Sequence, residues 1–265
     1  MSDSASRAAP APQAAAAHSP LQADPQLQRY FSAEGERRAA TRALFDRAAS
    51  GYDRAESITA LGSGAWYRRR ALQRCGLKPG MAILDAAAGT GLVAREAQRI
   101  IGEQGRLIAL DPSPGMLAEL RKKLSVETLE AGAEAIPLPE AEVDFVSMGY
   151  ALRHVADLDQ AFAEYLRVLR PGGRVCVMEI TRPQSALGRQ MLRFYLRAVV
   201  PLLSRIARCS ADVSLLWEYY WDTIQAAVPP QRVLEAMRRA GFEEVDCALT
   251  LGVFREYVGR KPAAR

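Results

Sequence analysis

Apolar and polar positions change period several times along this chain, and the changes outline its elements. Residues 37–49 carry apolar positions at helical spacing; Gly51, Tyr52 and Asp53 then read as a break, and residues 58–72 resume the helical period. Residues 81–84 form a short apolar run introduced by Pro79 and Gly80, the pattern of a buried strand, and residues 92–101 are helical again. The alternation continues with a strand at 106–110, a helix to about residue 124, a weak strand at 127–130 and a strand at 143–148. An amphipathic helix at 157–169 leads through the turn of Pro171, Gly172 and Gly173 into a fifth strand at 175–178. Strands alternating with helices in this way predict an α/β fold around a mostly parallel sheet. Pro229 and Pro230 open a last helix ended by Gly241, and residues 245–249 and 253–258 read as a closing antiparallel hairpin.

One segment departs from the alternation. Within residues 182–224, Arg189, Arg193, Arg197 and Arg205 step at multiples of four, beside an apolar surface of Leu192, Leu196, Val199, Val200, Leu203 and Ile206. Pro201 is expected to kink or divide this helix. The segment reads as a helical cap over a pocket, and equally as an amphipathic helix resting on anionic lipid. Residues 217–224 are rich in aromatics and suit a pocket wall. Residues 34–75, ahead of the first strand, read as a helical lid, whereas residues 1–33, rich in Ala and Pro, predict a disordered tail.

Composition adds bounds rather than detail. In 265 residues, a 49% hydrophobic and 25% charged makeup is that of an ordinary globular domain. The net charge of +5, with only four lysines among the cations, permits an anionic surface as partner and gives no sign of nucleic-acid binding. Cys75, Cys176, Cys209 and Cys247 are scattered without a Cys-x-x-Cys pair, which points away from zinc and toward a reducing, cytoplasmic setting. No window is long and apolar enough for a transmembrane helix.

The chemistry concentrates in residues 81–91, where a buried strand ends in Asp85, small residues follow, and Gly89 and Gly91 make a tight turn into a helix. Ligands of open α/β sheets bind at the carboxyl ends of strands, and glycines there allow close backbone approach. Gly89-x-Gly91-x-x-Ala94, with Asp111 about twenty residues on, matches the dinucleotide fingerprint. Asp85 argues otherwise, because a carboxylate beside the turn repels a pyrophosphate and attracts a cationic cofactor. S-adenosylmethionine (SAM) carries an ammonium and a sulfonium and no phosphate.

The stretch Asp85-x-x-x-Gly89-x-Gly91 resembles motif I of class I SAM-dependent methyltransferases. Phe45-Asp46-x-x-Ala49-x-x-Tyr52-Asp53, followed by Trp66-x-Arg68-Arg69, further resembles the ubiquinone/menaquinone C-methyltransferase family. So do the Leu152-Arg153 pair, the Glu179-Ile-Thr-Arg-Pro183 stretch and the Tyr257-Val-Gly-Arg-Lys-Pro262 tail. The chain departs from that family at Ala55-Glu56 (usually Met-Asn), at Gly132 (usually Asn or Asp) and at His154 (usually Asn).

The resemblance implies a Rossmann-like class I methyltransferase fold with a seven-stranded, mostly parallel sheet, helices on both faces, and one antiparallel strand near the C-terminus. It implies SAM as cofactor, S-adenosylhomocysteine as its product, and a lipophilic benzoquinol or naphthoquinol as acceptor, reached from a membrane surface. The cofactor set is then Asp85, Gly89, Thr90, Gly91, Asp111, Met116, Gly132, Ala133 and Gly149, with Asp111 on the ribose and Met116 against the adenine. Arg153, with Tyr52 and Asp53, is expected to face the acceptor, while His154 reads as a packed or capping histidine. A phospholipid amine or secondary metabolite as acceptor, and an NAD(P)-dependent oxidoreductase, remain as alternatives.

Overall fold

The computed structural model describes residues 37–60, 62–206, 211–227 and 229–264, so the tail expected at residues 1–33 lies outside the described residues. Seven strands, β1 (Ala82–Ala86), β2 (Arg106–Leu110), β3 (Glu127–Leu129), β4 (Val143–Gly149), β5 (Leu169–Ile180), β6 (Glu243–Thr250) and β7 (Phe254–Arg260), form one sheet in the order β3-β2-β1-β4-β5-β7-β6. The pairs from β3 across to β5 are parallel, and β7 runs antiparallel to both β5 and β6. This is the class I methyltransferase arrangement that the resemblance implies.

The central strands are apolar at successive positions because both faces of the sheet are covered. On one face Ile83, Phe145 and Cys176 pack against α2 (Gly64–Arg74) and α3 (Leu92–Ile101). Their neighbours Leu84, Val146 and Val177 turn to the other face, against α5 (Leu158–Val168) and α9 (Pro230–Ala240). The chain reverses its direction of sheet growth between β2 and β4, which flank β1, and the crevice opens at the carboxyl ends of these strands.

Three elements differ from expectation. The first helix, α1 (Arg37–Thr59), runs unbroken through Gly51, Tyr52 and Asp53, and ends at Thr59, ahead of α2. A glycine inside a helix costs only about 1 kcal/mol, and contacts along two faces of α1 outweigh it. The Pro171-Gly172-Gly173 turn is a bulge within β5: Leu169 pairs with Val143 and Arg174 with Phe145, so the intervening residues loop out. Gly172 takes φ +80° there, and its N–H donates to the carbonyl of Lys261 at 3.0 Å. In the cap, the helix is divided just ahead of Pro201, as expected, but by a change of helix type rather than a break. Between α6 (Ala186–Phe194) and α7 (Val200–Ile206) lies a π-helical turn, Tyr195–Val199. The Val200 N–H donates to the Tyr195 carbonyl, a wider ring that accommodates the missing proline N–H. The remaining helices are α4 (Pro114–Arg121) and α8 (Ala211–Ala226).

Candidate active site

The motif I turn is shaped by its glycines for different reasons. Gly89 has φ +56° and a Cβ there would meet nothing, so this position leaves room over the backbone. Gly91, the N-cap of α3 at φ +88°, faces Leu120, whose Cγ would lie 3.0 Å from an added Cβ; it is required by packing as well as by φ. Ala87 and Tyr150, at the ends of β1 and β4, also take positive φ, 55° and 60°. Such strained backbone collects where a site demands it.

Above this turn lies a cavity of about 510 Å3. One wall is cofactor-like: Ala87 to Thr90, Asp111, Ser113, Met116, Gly132, Glu134 and Gly149. The other is aromatic, formed by Phe45 and Tyr52 of α1, Tyr150, His154 and Tyr220 of α8, with Arg68 of α2 as its cation. The two carboxylates expected to hold the cofactor occupy different settings. Asp111 is fixed from below, Oδ2 accepting from the Gly89 N–H and Oδ1 from the Ser113 N–H, both at 2.8 Å. Burial raises its pKa to about 6 despite these two bonds. Asp85 is fully buried at the end of β1, and its Oδ1 accepts from the Ser147 hydroxyl at 2.7 Å. Its Oδ2 is buried and makes no hydrogen bond of good geometry, though the backbone N–H of Ala94 in α3 lies near enough to favour the carboxylate. Burial lifts the pKa of Asp85 to about 7. A weakly satisfied carboxylate oxygen two residues before the cavity wall fits a cofactor bearing an ammonium group.

Helix α1 closes the cavity. Thr41, Phe45 and Tyr52 line the cavity. Arg38 and Arg42, which also border the cavity, pair with Glu134 at 3.2 Å and Glu130 at 2.7 Å. Asp46 accepts from the Ser113 hydroxyl at 2.5 Å and the Gly115 N–H at 2.9 Å, at the start of α4. Asp53 accepts from the Thr90 hydroxyl and pairs with Lys123 at 2.7 Å. The lid is thereby tied to the loop after β3, to α4 and to the motif I turn.

Of the residues expected in the site, Tyr52, Gly89, Thr90, Asp111, Met116, Gly132 and Gly149 line the cavity, whereas Asp53, Asp85, Gly91, Ala133 and Arg153 do not. Asp53 is taken up by the latch just described. Arg153 requires the larger correction. The turn Leu152–His154 is a 3-10 helix that buries Arg153 to 2% exposure. Its guanidinium bonds Glu179 and, at 3.1 Å, the Thr223 hydroxyl. It also lies 4.7 Å from the centre of the Tyr220 ring. One residue further round the turn, His154 faces the cavity instead. Its Nδ1 is 3.3 Å from the Tyr219 hydroxyl, and its ring packs edge-on against Phe45.

Sequence reasoning gave Arg68 no role, and reached Tyr220 only as part of the aromatic stretch 217–224 expected to line a pocket. Arg68 is 5% exposed, donates to Glu56 Oε1 at 2.6 Å and sits 5.5 Å from the centre of the Tyr150 ring. It belongs to the Trp66-x-Arg68-Arg69 stretch, so the signal was present. Tyr220 joins the lid to the cap, its hydroxyl 2.7 Å from that of Tyr52.

Comparisons with known proteins agree with this geometry. Residues 33–261 match the model of the ubiE/COQ5 methyltransferase family. The protein named ubiquinone/menaquinone biosynthesis C-methyltransferase UbiE in Shewanella halifaxensis is 32% identical over 241 residues, covering 88% of this chain and 95% of its own. Its namesake in Shewanella pealeana shows the same identity and coverage. Among solved structures, a SAM-dependent methyltransferase from Thermotoga maritima, described as a possible histamine N-methyltransferase, superimposes with TM-score 0.58 at 22% identity, covering 83% of this chain and 98% of its own. A SAM-dependent methyltransferase from Aquifex aeolicus gives 0.56 at 18% identity, covering 78% and 98%. At these identities the structures show the fold alone. The dinucleotide alternative falls, and the chain belongs to the ubiE/COQ5 methyltransferase family, enzymes that take their methyl group from SAM.

Proposed function

We propose that this enzyme methylates a ring carbon of a benzoquinol or naphthoquinol, a lipophilic acceptor that it meets at a membrane surface. The observation that carries the reading is Arg68, a buried cation on the aromatic wall of the cavity whose opposite wall is the motif I turn. The names of the Shewanella relatives point the same way.

When bound, SAM supplies an electrophilic methyl group that needs little further activation, so the chain's task is largely to position and polarise the acceptor. Asp85, at the end of β1 behind the motif I turn, would hold the cofactor's ammonium. Asp111, kept in place by two backbone N–H groups, offers its remaining lone pairs to ribose hydroxyls. Arg68 favours the phenolate form of the acceptor, which raises electron density on the ring carbon. A cation or hydrogen-bond donor placed on developing oxyanion charge contributes about 10²–10³ in rate. Loss of the proton from the methylated carbon requires an acceptor, and the imidazole of His154 on the same wall takes that role. Arg153 acts through Tyr220 as a positioning residue.

The test is methyl transfer from labelled SAM to chemically reduced, demethylated benzoquinol and naphthoquinol side by side. Label on either ring, lost in Asp85→Asn, supports the reading. SAM binding without label on either quinol overturns the acceptor and favours a phospholipid amine or secondary metabolite in its place.

A further inference from the structure

The cap carries a surface that the active site does not use. Leu187, Met191, Phe194 and Leu202 are 58–68% exposed along α6 and α7. No residue of α6 is buried. On the neighbouring hairpin, Leu249 and Leu251 at the β6–β7 turn are 43% and 83% exposed. Between the two lies an apolar groove of about 550 Å3, with Met191, Leu192 and Tyr195 on one side and Leu249, Leu251 and Val253 on the other. Contiguous apolar surface of this kind marks an interaction site.

The charge around it identifies the partner. Residues 180–211 hold six arginines and no acidic residue, while the whole chain carries only +5, so the rest of the molecule sums to −1. Arg182, Arg193, Arg197 and Arg205 are exposed beside the apolar stripe. A cationic, acid-free helix with exposed Leu, Met and Phe matches an anionic lipid surface: apolar side chains enter the acyl boundary and arginines meet headgroup phosphates. The face is coupled to the acceptor wall, because Arg197 lies over the Trp221 ring at 5.6 Å and Tyr220, one residue earlier, lines the cavity.

We infer that the α6–α7 face, with the Leu249–Leu251 turn, is the enzyme's docking surface for anionic phospholipid bilayers, the groove between them taking a lipid chain. This rests on the membrane-facing part of the proposed function and names its residues.

The experiment is co-sedimentation of the full-length protein with phosphatidylcholine vesicles, with and without phosphatidylglycerol. Binding is expected only with phosphatidylglycerol and is expected to weaken with salt. Each of Arg182→Ala and Arg193→Ala is expected to weaken it roughly fivefold. The pair Leu187→Ser, Phe194→Ser is expected to weaken it roughly tenfold or more. SAM affinity by calorimetry, and methyl transfer to a water-soluble quinol, stay at wild-type values in these variants. No binding to anionic vesicles, or binding unaffected by the substitutions, overturns the inference. So does a concentration-dependent dimer in sedimentation that these substitutions abolish, which assigns the face to a second copy. Vesicle binding with no transfer to any quinol leaves the docking face standing and removes the quinol instead.

Discussion

Asp85 has one oxygen satisfied by Ser147 and the other buried with only weak support from the Ala94 N–H, an arrangement suited to a cation. Burial raises its pKa from 3.8 to about 7, so its contribution to stability is present at low pH and is lost as pH rises through about 7. Ionising it in the unliganded fold costs on the order of a few kcal/mol. Asp85→Asn is therefore expected to leave the melting temperature at pH 8 equal to wild type or higher, while SAM affinity falls more than a hundredfold. In the wild type, SAM affinity is expected to weaken below pH 7, approaching roughly tenfold per pH unit as the carboxyl protonates; calorimetry across pH 5–8 checks both. A flat pH profile contradicts the role given to Asp85. Arg68 and Glu56 form the other decisive pair. Arg68→Ala is expected to lower kcat roughly a hundredfold. Glu56→Gln, which removes the charge opposing Arg68, is expected to shift the acid limb of the kcat profile downward. The placement of Asp85, Asp111 and the glycines at strand ends was legible in the sequence because the strand–turn–helix pattern is local. Arg68, Tyr52 and Tyr220 were harder, since α2, α1 and α8 bring them from distant parts of the chain. Arg153 turns away from the cavity for a smaller reason: neighbouring residues of a 3-10 turn point about 120° apart, and a motif does not reveal which one faces the cavity; His154 is packed among aromatic rings, as expected, and also borders the cavity.

At the scale of elements, α1 is a lid whose attachments differ along its length. The Arg38 and Arg42 pairs are exposed, and such bridges contribute about 0–1 kcal/mol each. Farther along, Leu44 and Ala48 are buried against Leu216, Tyr219 and Tyr220 of α8, and the Asp53–Thr90 contact ties the helix to the motif I turn. Asp53→Ala is expected to raise the KM for SAM several-fold with kcat little changed, and to speed cofactor release in stopped-flow experiments. A fall in kcat with unchanged KM would instead return Asp53 to the acceptor side. The sequence located this helix but broke it at Gly51, because a local propensity of about 1 kcal/mol gave no sign of the packing on α8. Pro201 gave a similar lesson: its missing N–H was visible, and its resolution as a π turn depends on neighbours far along the chain.

For the molecule as a whole, a cavity wall built on the motif I turn, an aromatic wall holding the buried Arg68 and a basic, apolar outer face are arranged around one sheet. The individual strands and the closing hairpin were legible from period and turn residues, since parallel strands covered on both faces leave continuous apolar runs; the mostly parallel sheet with one antiparallel strand was implied by the family resemblance, and the strand order is seen only in the structure. Among the described residues no helix is long and apolar enough to cross a membrane; in the proposal above, the surface of the cap is where a lipophilic acceptor is met. The most direct measurement on the whole is the position of a carbon-13 methyl label in the product formed from labelled SAM and reduced demethylated quinol, read by NMR. The account predicts a carbon-bound methyl on the quinol ring, with formation slowed roughly a hundredfold by Arg68→Ala. A label on oxygen, or a rate indifferent to Arg68, would contradict it.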